Sequence, residues 1–309
     1  MGPKGQVLTT PSLSPEVQEQ PAPPKQKKFS YSLSGVIGAL PFFAFVAAFL
    51  IIPILTNVLK AFQDPAGNPS TASMTEAMGT GYRSAFALTF GLSILTAVVG
   101  GVLGLVLAWA LTTPAGPKWL NGLVNSFSAL AAQSGGVQLA YGFVALLGTQ
   151  GLMTKAVERF YPGFSEAFSL TDFWGVALVY LYFQIPLMTV LMLPAMAGLK
   201  KEWFNAASSL GATRTQYLKD IALPVLWPSM LGSVLLLFAN AFAAYATAYA
   251  LAGGSLNLVP IVIGFLISGN VLLNPSLAAA MVTWMMLIII VSMGLRMILS
   301  RRSNKWLSN

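Results

Sequence analysis

The chain has 309 residues, 56% hydrophobic and only 8% charged, against about a quarter charged in ordinary soluble domains, so lipid rather than water is the solvent for most of its surface. Having no Cys and no His, it is denied disulfides, thiolate nucleophiles, imidazole bases and nearly every transition-metal site, and no catalytic or metal-ligating residue is expected. The net charge of +8 would suggest nucleic acid for a soluble protein, but in a membrane protein Lys and Arg chiefly set orientation.

Residues 1–32 carry Pro11, Pro15, Pro21, Pro23 and Pro24 with Lys25, Lys27 and Lys28 and little apolar surface, which predicts a flexible basic tail. A cleavable signal peptide is not expected, because the first apolar run starts only near Val36. From residue 33 onward the chain reads as one all-α, polytopic membrane domain. Apolar segments fall at 35–60, 84–111, 119–149, 173–198, 228–251 and 276–299, each at or above the roughly 20 residues needed to cross a bilayer. Six transmembrane helices are thus predicted. Pro41, Pro53 and Pro186 fall within spans and predict kinks. Gly100 and Gly104 share a helix face and predict close packing of another backbone. The stretch 258–268 is too short to span and predicts a re-entrant or interfacial helix.

Six crossings put both termini on one side, and charge decides which. Of the 17 Lys and Arg, only Lys60, Arg83, Lys155 and Arg159 fall on the other side, so the termini are predicted to be cytoplasmic.

Between the fourth and fifth spans lies a loop at 199–227. Ala206, Ala207 and Leu210 fit a short helix, Gly211 can end it, and Tyr217, Leu218 and Ile221 continue on a second apolar face up to Pro224. A helix, a turn and a second helix stopped by Pro224 are predicted. Asn205-Ala206-Ala207, Gly211, Ile221 and Leu223-Pro224 keep every interval of a known pattern: Glu-Ala-Ala, three residues, Gly, nine residues, Ile-x-Leu-Pro. The segment therefore resembles the signature loop of the type I ABC importer permeases, and the resemblance extends less sharply over all six spans. It implies a coupling helix seated in a cleft of an ATPase, with small Ala206 and Ala207 leaving docking unobstructed and Gly211 making the turn. Asn205 departs from the family's Glu. Glu202, one helical turn earlier, is a candidate to supply the missing charge. The plainer alternative is an amphipathic helix pair at the membrane surface.

Polar residues within the spans are the candidates for a translocation path: Gln138, Asn240 and Tyr245 are singled out, with Gln184 before Pro186 also noted. Each could equally join helices. No Asp, Glu, Lys or Arg lies deep in a predicted span, which argues against proton-coupled transport and for energy supplied from outside the chain. A secondary transporter, a channel or a scaffold without cargo are the other classes to weigh. The segments 242–254 and 258–261 resemble the spermidine/putrescine-type subfamily, whose broad group includes permeases for ferric iron, thiamine, sulfate and phosphonates. That resemblance implies a polyamine or other small polar cargo, with Tyr245 and Tyr249 placed for cation–π contact; sugar is a further possibility. It also implies the assembly: two ABC ATPase subunits that bind ATP and Mg, a second permease of different sequence, and an extracytoplasmic substrate-binding protein. The chain itself would then be no enzyme and hold no cofactor, and would sit in a bacterial inner membrane. The outer surface or gate is expected at 160–168 and 258–268.

Overall fold

The computed structural model describes residue 2 and residues 33–64, 66–112, 118–268 and 274–307. Apart from Gly2, the tail expected at 1–32 lies outside the described residues. Two compact units divide after Ile52. The first contains α1 (Leu33–Val46) and a π-helical turn at Ala47–Ile51. Phe42, Phe43, Phe45 and Phe49 are all exposed there, as on a helix solvated by lipid.

The second unit begins within α2 (Ile52–Ala61) and continues through α3 (Ala72–Ala77) and α4 (Thr80–Thr112). It then has α5 (Lys118–Gln133), α6 (Val137–Leu147), α7 (Leu152–Glu158), α8 (Phe164–Ala167) and α9 (Phe173–Ala197). After these come α10 (Lys201–Ser209), α11 (Arg214–Tyr217), α12 (Leu223–Ala243), α13 (Ala246–Ala252), α14 (Val259–Ser268) and α15 (Pro275–Leu307). Among the described residues, five helices are long and apolar enough to cross a membrane: Leu40–Ala61, Thr80–Thr112, Phe173–Ala197, Arg214–Ala243 and Pro275–Leu299. The predicted third span is not one rod, because Gly122–Gln133 and Val137–Glu158 meet at a bend of 108°. Counted as one crossing, the bent pair makes six.

α9 is apolar on all sides and buries twelve of its 25 residues, as the central helix of a bundle must. Its main neighbour, α4, buries a stripe of small residues that includes Ala85, Thr89, Ser93, Ala97, Gly100, Gly104 and Ala108. Within lipid there is little hydrophobic drive between helices, so close backbone approach and dispersion hold the pair. The predicted packing role of Gly100 and Gly104 is met: a Cβ on Gly104 would lie 2.5 Å from the Ile185 carbonyl oxygen, and one on Gly100 would lie 2.8 Å from Gln184 Cβ. The hydroxyls in the stripe stay satisfied by turning back to their own helix: Thr89 to Ala85 O at 2.7 Å, Ser93 to Thr89 O at 2.7 Å and Thr96 to Leu92 O at 2.8 Å.

Several predicted details need correction. The fifth span was expected at 228–251, but the helix starts at Arg214 and ends at Ala243. Pro224 does not stop it. A π-helical turn at Leu218–Ala222 precedes Pro224, with the Leu223 amide donating to Leu218 O five residues back; the wider turn accommodates the proline, which has no N–H to donate. The same device precedes Pro53, where the Ile52 amide donates to Ala47 O. Pro41 and Pro186 lie inside α1 and α9, within spans as expected. The stretch at 258–268 is helical, as predicted, but α14 buries Val259, Pro260, Ile261, Ile263 and Leu266, and the Val259 amide donates to Thr89 Oγ1 at 2.9 Å. It packs as a wedge between helices, with Ile267 still exposed at its end. At 160–168 exposure is greater, and Phe160 is 87% exposed.

Candidate functional site

Two features carry the candidate residues, and the first is the projection between α9 and α12. α10 places Glu202 in its first turn, where a carboxylate complements the positive helix end. Its C-terminus closes by a double backbone bond: Gly211 N–H to Ser208 O at 3.0 Å and Ala212 N–H to Ala207 O at 3.0 Å. This Schellman closure needs a left-handed residue after the cap, and Gly211 supplies it with φ +84°. The chain then re-enters helix at once through a capping box, Thr213 N–H donating to Gln216 Oε1 at 2.8 Å and Gln216 N–H to Thr213 Oγ1 at 3.3 Å. Edge-on packing of Phe204 against Tyr217, with ring centroids 5.2 Å apart, joins the two arms. The result is a stiff knob continuous with a membrane helix.

Glu202, Asn205 and Ala206 are exposed on α10. Ala207 is only 7% exposed, so its small side chain packs within the fold. The most prominent apolar group at the tip is Leu210, 89% exposed. Ile221 is half-buried, while Leu223 and Pro224 are exposed at the start of α12.

The second feature is a cavity of about 340 Å³, with amide and hydroxyl groups in a partly apolar wall, where two helices break. One break, at residues 134–136, separates α5 from α6. The other, at 244–245, separates α12 from α13. Gln133, Gly135 and Gly136 line the cavity from the first, and Ala244, Tyr245 and Thr247 from the second, with Asn240 and Phe183 beside them. The breaks are joined directly by the Gly136 amide, which donates to Thr247 Oγ1 at 2.7 Å. Gly136 has φ +102°, a conformation that explains why glycine stands there. The second break has no Gly or Pro; Ala244 simply turns out of helix with ψ 97°. Its carbonyl is held by Tyr180, whose hydroxyl donates to Ala244 O at 2.8 Å.

Of the predicted path residues, Asn240 and Tyr245 line this cavity, whereas Gln138 sits exposed on the first turn of α6 outside the lining. Behind the wall is Gln184, fully buried. Its amide donates to Leu237 O at 2.8 Å, and its oxygen accepts from Asn240 Nδ2 at 3.4 Å. Tyr180 and Gln184 shape the cavity from behind the lining, and of the two only Gln184 was marked in the sequence, by its polarity. Tyr245 and Tyr249 stack on each other at 5.4 Å, which occupies one face of each ring. Replacing Tyr180 with phenylalanine removes one buried hydrogen bond at nearly constant volume, and is expected to cost about 1 kcal/mol. The measurement is the thermal unfolding midpoint of the purified chain; an unchanged midpoint would rule out the hydroxyl as the clamp on the break.

No protein-family model matches the chain. It is 27% identical over 221 residues to the sulfate transport system permease protein CysT of Salmonella typhimurium, covering 68% of this chain and 72% of that one. It is 25% identical over 237 residues to the ferric transport system permease protein FbpB of Actinobacillus pleuropneumoniae, covering 76% of this chain and 34% of that one. A solved bacterial alginate ABC transporter, in complex with alginate pentasaccharide-bound periplasmic protein, matches with TM-score 0.64 and 16% identity over 88% of this chain and 94% of the other. Fold and helix count therefore define a polytopic, all-helical membrane protein with the ABC importer permease fold. By sequence, the chain is similar to sulfate and ferric transport system permease proteins. The expected spermidine/putrescine subtype gains no support from these relatives.

Proposed function

We propose that the chain is the permease subunit of an ATP-driven importer in a bacterial inner membrane, with both termini cytoplasmic and the knob docked on an ABC ATPase. The observation that carries this reading is the Schellman-closed knob around Gly211, which is rigidly continuous with the Arg214–Ala243 helix of an importer-permease fold. A stiff lever of this kind transmits closure of two ATPase subunits to the membrane helices, and hydrolysis then belongs to those subunits. Asn205 in place of the family's Glu supports a heteromeric pair in which a second, different permease carries the acidic loop. An extracytoplasmic binding protein would dock opposite the knob, where Phe160 and Tyr161 are exposed.

The cavity between the helix breaks is the proposed translocation path. Its lining is neutral, with amide and hydroxyl groups and no carboxylate, so nothing in it balances a polycation. A small oxyanion of the sulfate kind is the cargo we favour over a polyamine, on the strength of the neutral lining and the sulfate permease relative. The test is uptake by vesicles holding the assembled importer. Labelled sulfate should accumulate only with ATP, and putrescine should not. Accumulation without ATP would replace this reading with a secondary transporter, while ATP-driven putrescine uptake would overturn the cargo alone.

A further inference from the structure

We propose that a groove beside the knob is a binding site for an anionic phospholipid of the adjacent leaflet. The groove encloses about 360 Å³ between α4 and the continuous helix that runs from α11 into α12. Its walls are almost wholly apolar, with Leu105, Leu226 and Met230 towards the membrane centre, and Thr215 and Lys219 are among the residues that line it at the opposite end. Those two residues are four apart and share a helix face. From Lys219 to Met230 is eleven residues, or about 16 Å along a helix, close to half of a hydrocarbon core of roughly 30 Å. The groove is thus one leaflet deep, with a cation and a hydroxyl at the headgroup level and apolar walls at the acyl level. Trp109 lines it from α4 within a turn of the helix end, at the level where indoles favour the membrane interface.

Charge selects among lipids. Among the described residues that line the groove, Lys219 is the one cation. Asp220 and Arg214 are exposed on the same segment but do not line the groove. A phosphodiester with no compensating choline satisfies the ammonium, so phosphatidylglycerol fits better than phosphatidylcholine. Because the π-helical turn at Leu218–Ala222 forms part of the wall, a bound lipid braces the segment that joins the knob to α12. The inference rests on membrane residence of these helices, and its test reads lipid binding, so that failure of transport cannot be confused with it.

The experiment is native mass spectrometry of the purified full chain titrated with dioleoyl phosphatidylglycerol or dioleoyl phosphatidylcholine. The wild type should prefer phosphatidylglycerol by about fivefold, the equivalent of one basic side chain near a headgroup. Lys219→Gln should bring the two lipids to parity. Arg214→Gln, on the same segment but outside the groove, should leave the preference intact. Equal binding of both lipids by the wild type overturns the site, as does an equal loss in the two variants, which would mean diffuse charge attraction.

Discussion

Substitution of Gly104 is expected to do the greatest damage to the membrane domain. Even alanine would place its Cβ 2.5 Å from the Ile185 carbonyl oxygen and 2.6 Å from Met188 Cβ, distances that the rigid backbone of α9 cannot relieve. The Thr189 hydroxyl also lies 3.1 Å from Gly104 O, but its single proton has the closer Ile185 O at 2.9 Å as an acceptor on its own helix, so the cost rests on sterics. Overpacking of this kind costs about 1–3 kcal/mol. Gly104→Ala should lower the thermal midpoint of the purified chain, and Gly104→Val should largely abolish its accumulation in the membrane. Gly91 is the matched control. It lies on the same helix with no atom within 4 Å of its would-be Cβ, so alanine there should be neutral or slightly stabilising, by up to about 1 kcal/mol. Equal behaviour of the two alanine variants would remove close packing as the reason for Gly104.

The second large effect is expected at Gly211, and here the fold should survive. No atom lies within 4 Å of a Cβ built on Gly211, so sterics do not oppose a side chain. Its φ of +84° does: a β-branched residue forced into that region costs about 1–3 kcal/mol. Valine should relax the backbone and give up the bonds from Gly211 to Ser208 and from Ala212 to Ala207, which reorients α10 relative to α11. ATP-dependent uptake should fall at least tenfold, with loss of ATPase co-purification or of its stimulation, while the thermal midpoint of the membrane domain stays near wild type. Asparagine tolerates the left-handed region, so Gly211→Asn should retain most activity. Undiminished transport by Gly211→Val would eliminate the knob as the coupling element.

Much of this molecule could be read from its sequence because lipid imposes blunt requirements. Membrane residence followed from composition, and the number of crossings from the length of apolar runs. The knob was legible from spacing alone: a short helix, Gly211 and a second helix all stand where they were expected, because the Schellman turn and the Thr213–Gln216 box are local devices written in consecutive residues. The close approach at Gly100 and Gly104 was also legible, since a missing side chain on one helix face has few other uses in a membrane. Pro224 was misread as a stop because a π-helical turn, which no residue pattern announced, made room for it.

What only the tertiary structure decided lies around the cavity. The chain leaves helix at Ala244 without a glycine or proline, because Tyr180 on another helix takes its carbonyl. Nothing local to residues 243–246 could reveal that. Asn240 and Tyr245 were marked by polarity, but whether a polar group in a span joins helices or faces a path depends on what stands opposite; Gln184 turned out to do the joining, and Gln138 lies outside the lining. The sequence by itself determined the solvent, the main apolar spans and the helix–turn–helix knob around Gly211, all of which follow from local hydrophobicity and backbone preference. The bend at 134–136, the break at 244–245 and the cavity between them were decided by hydrogen bonds spanning 111 and 64 positions, and only the packed bundle brings such partners together.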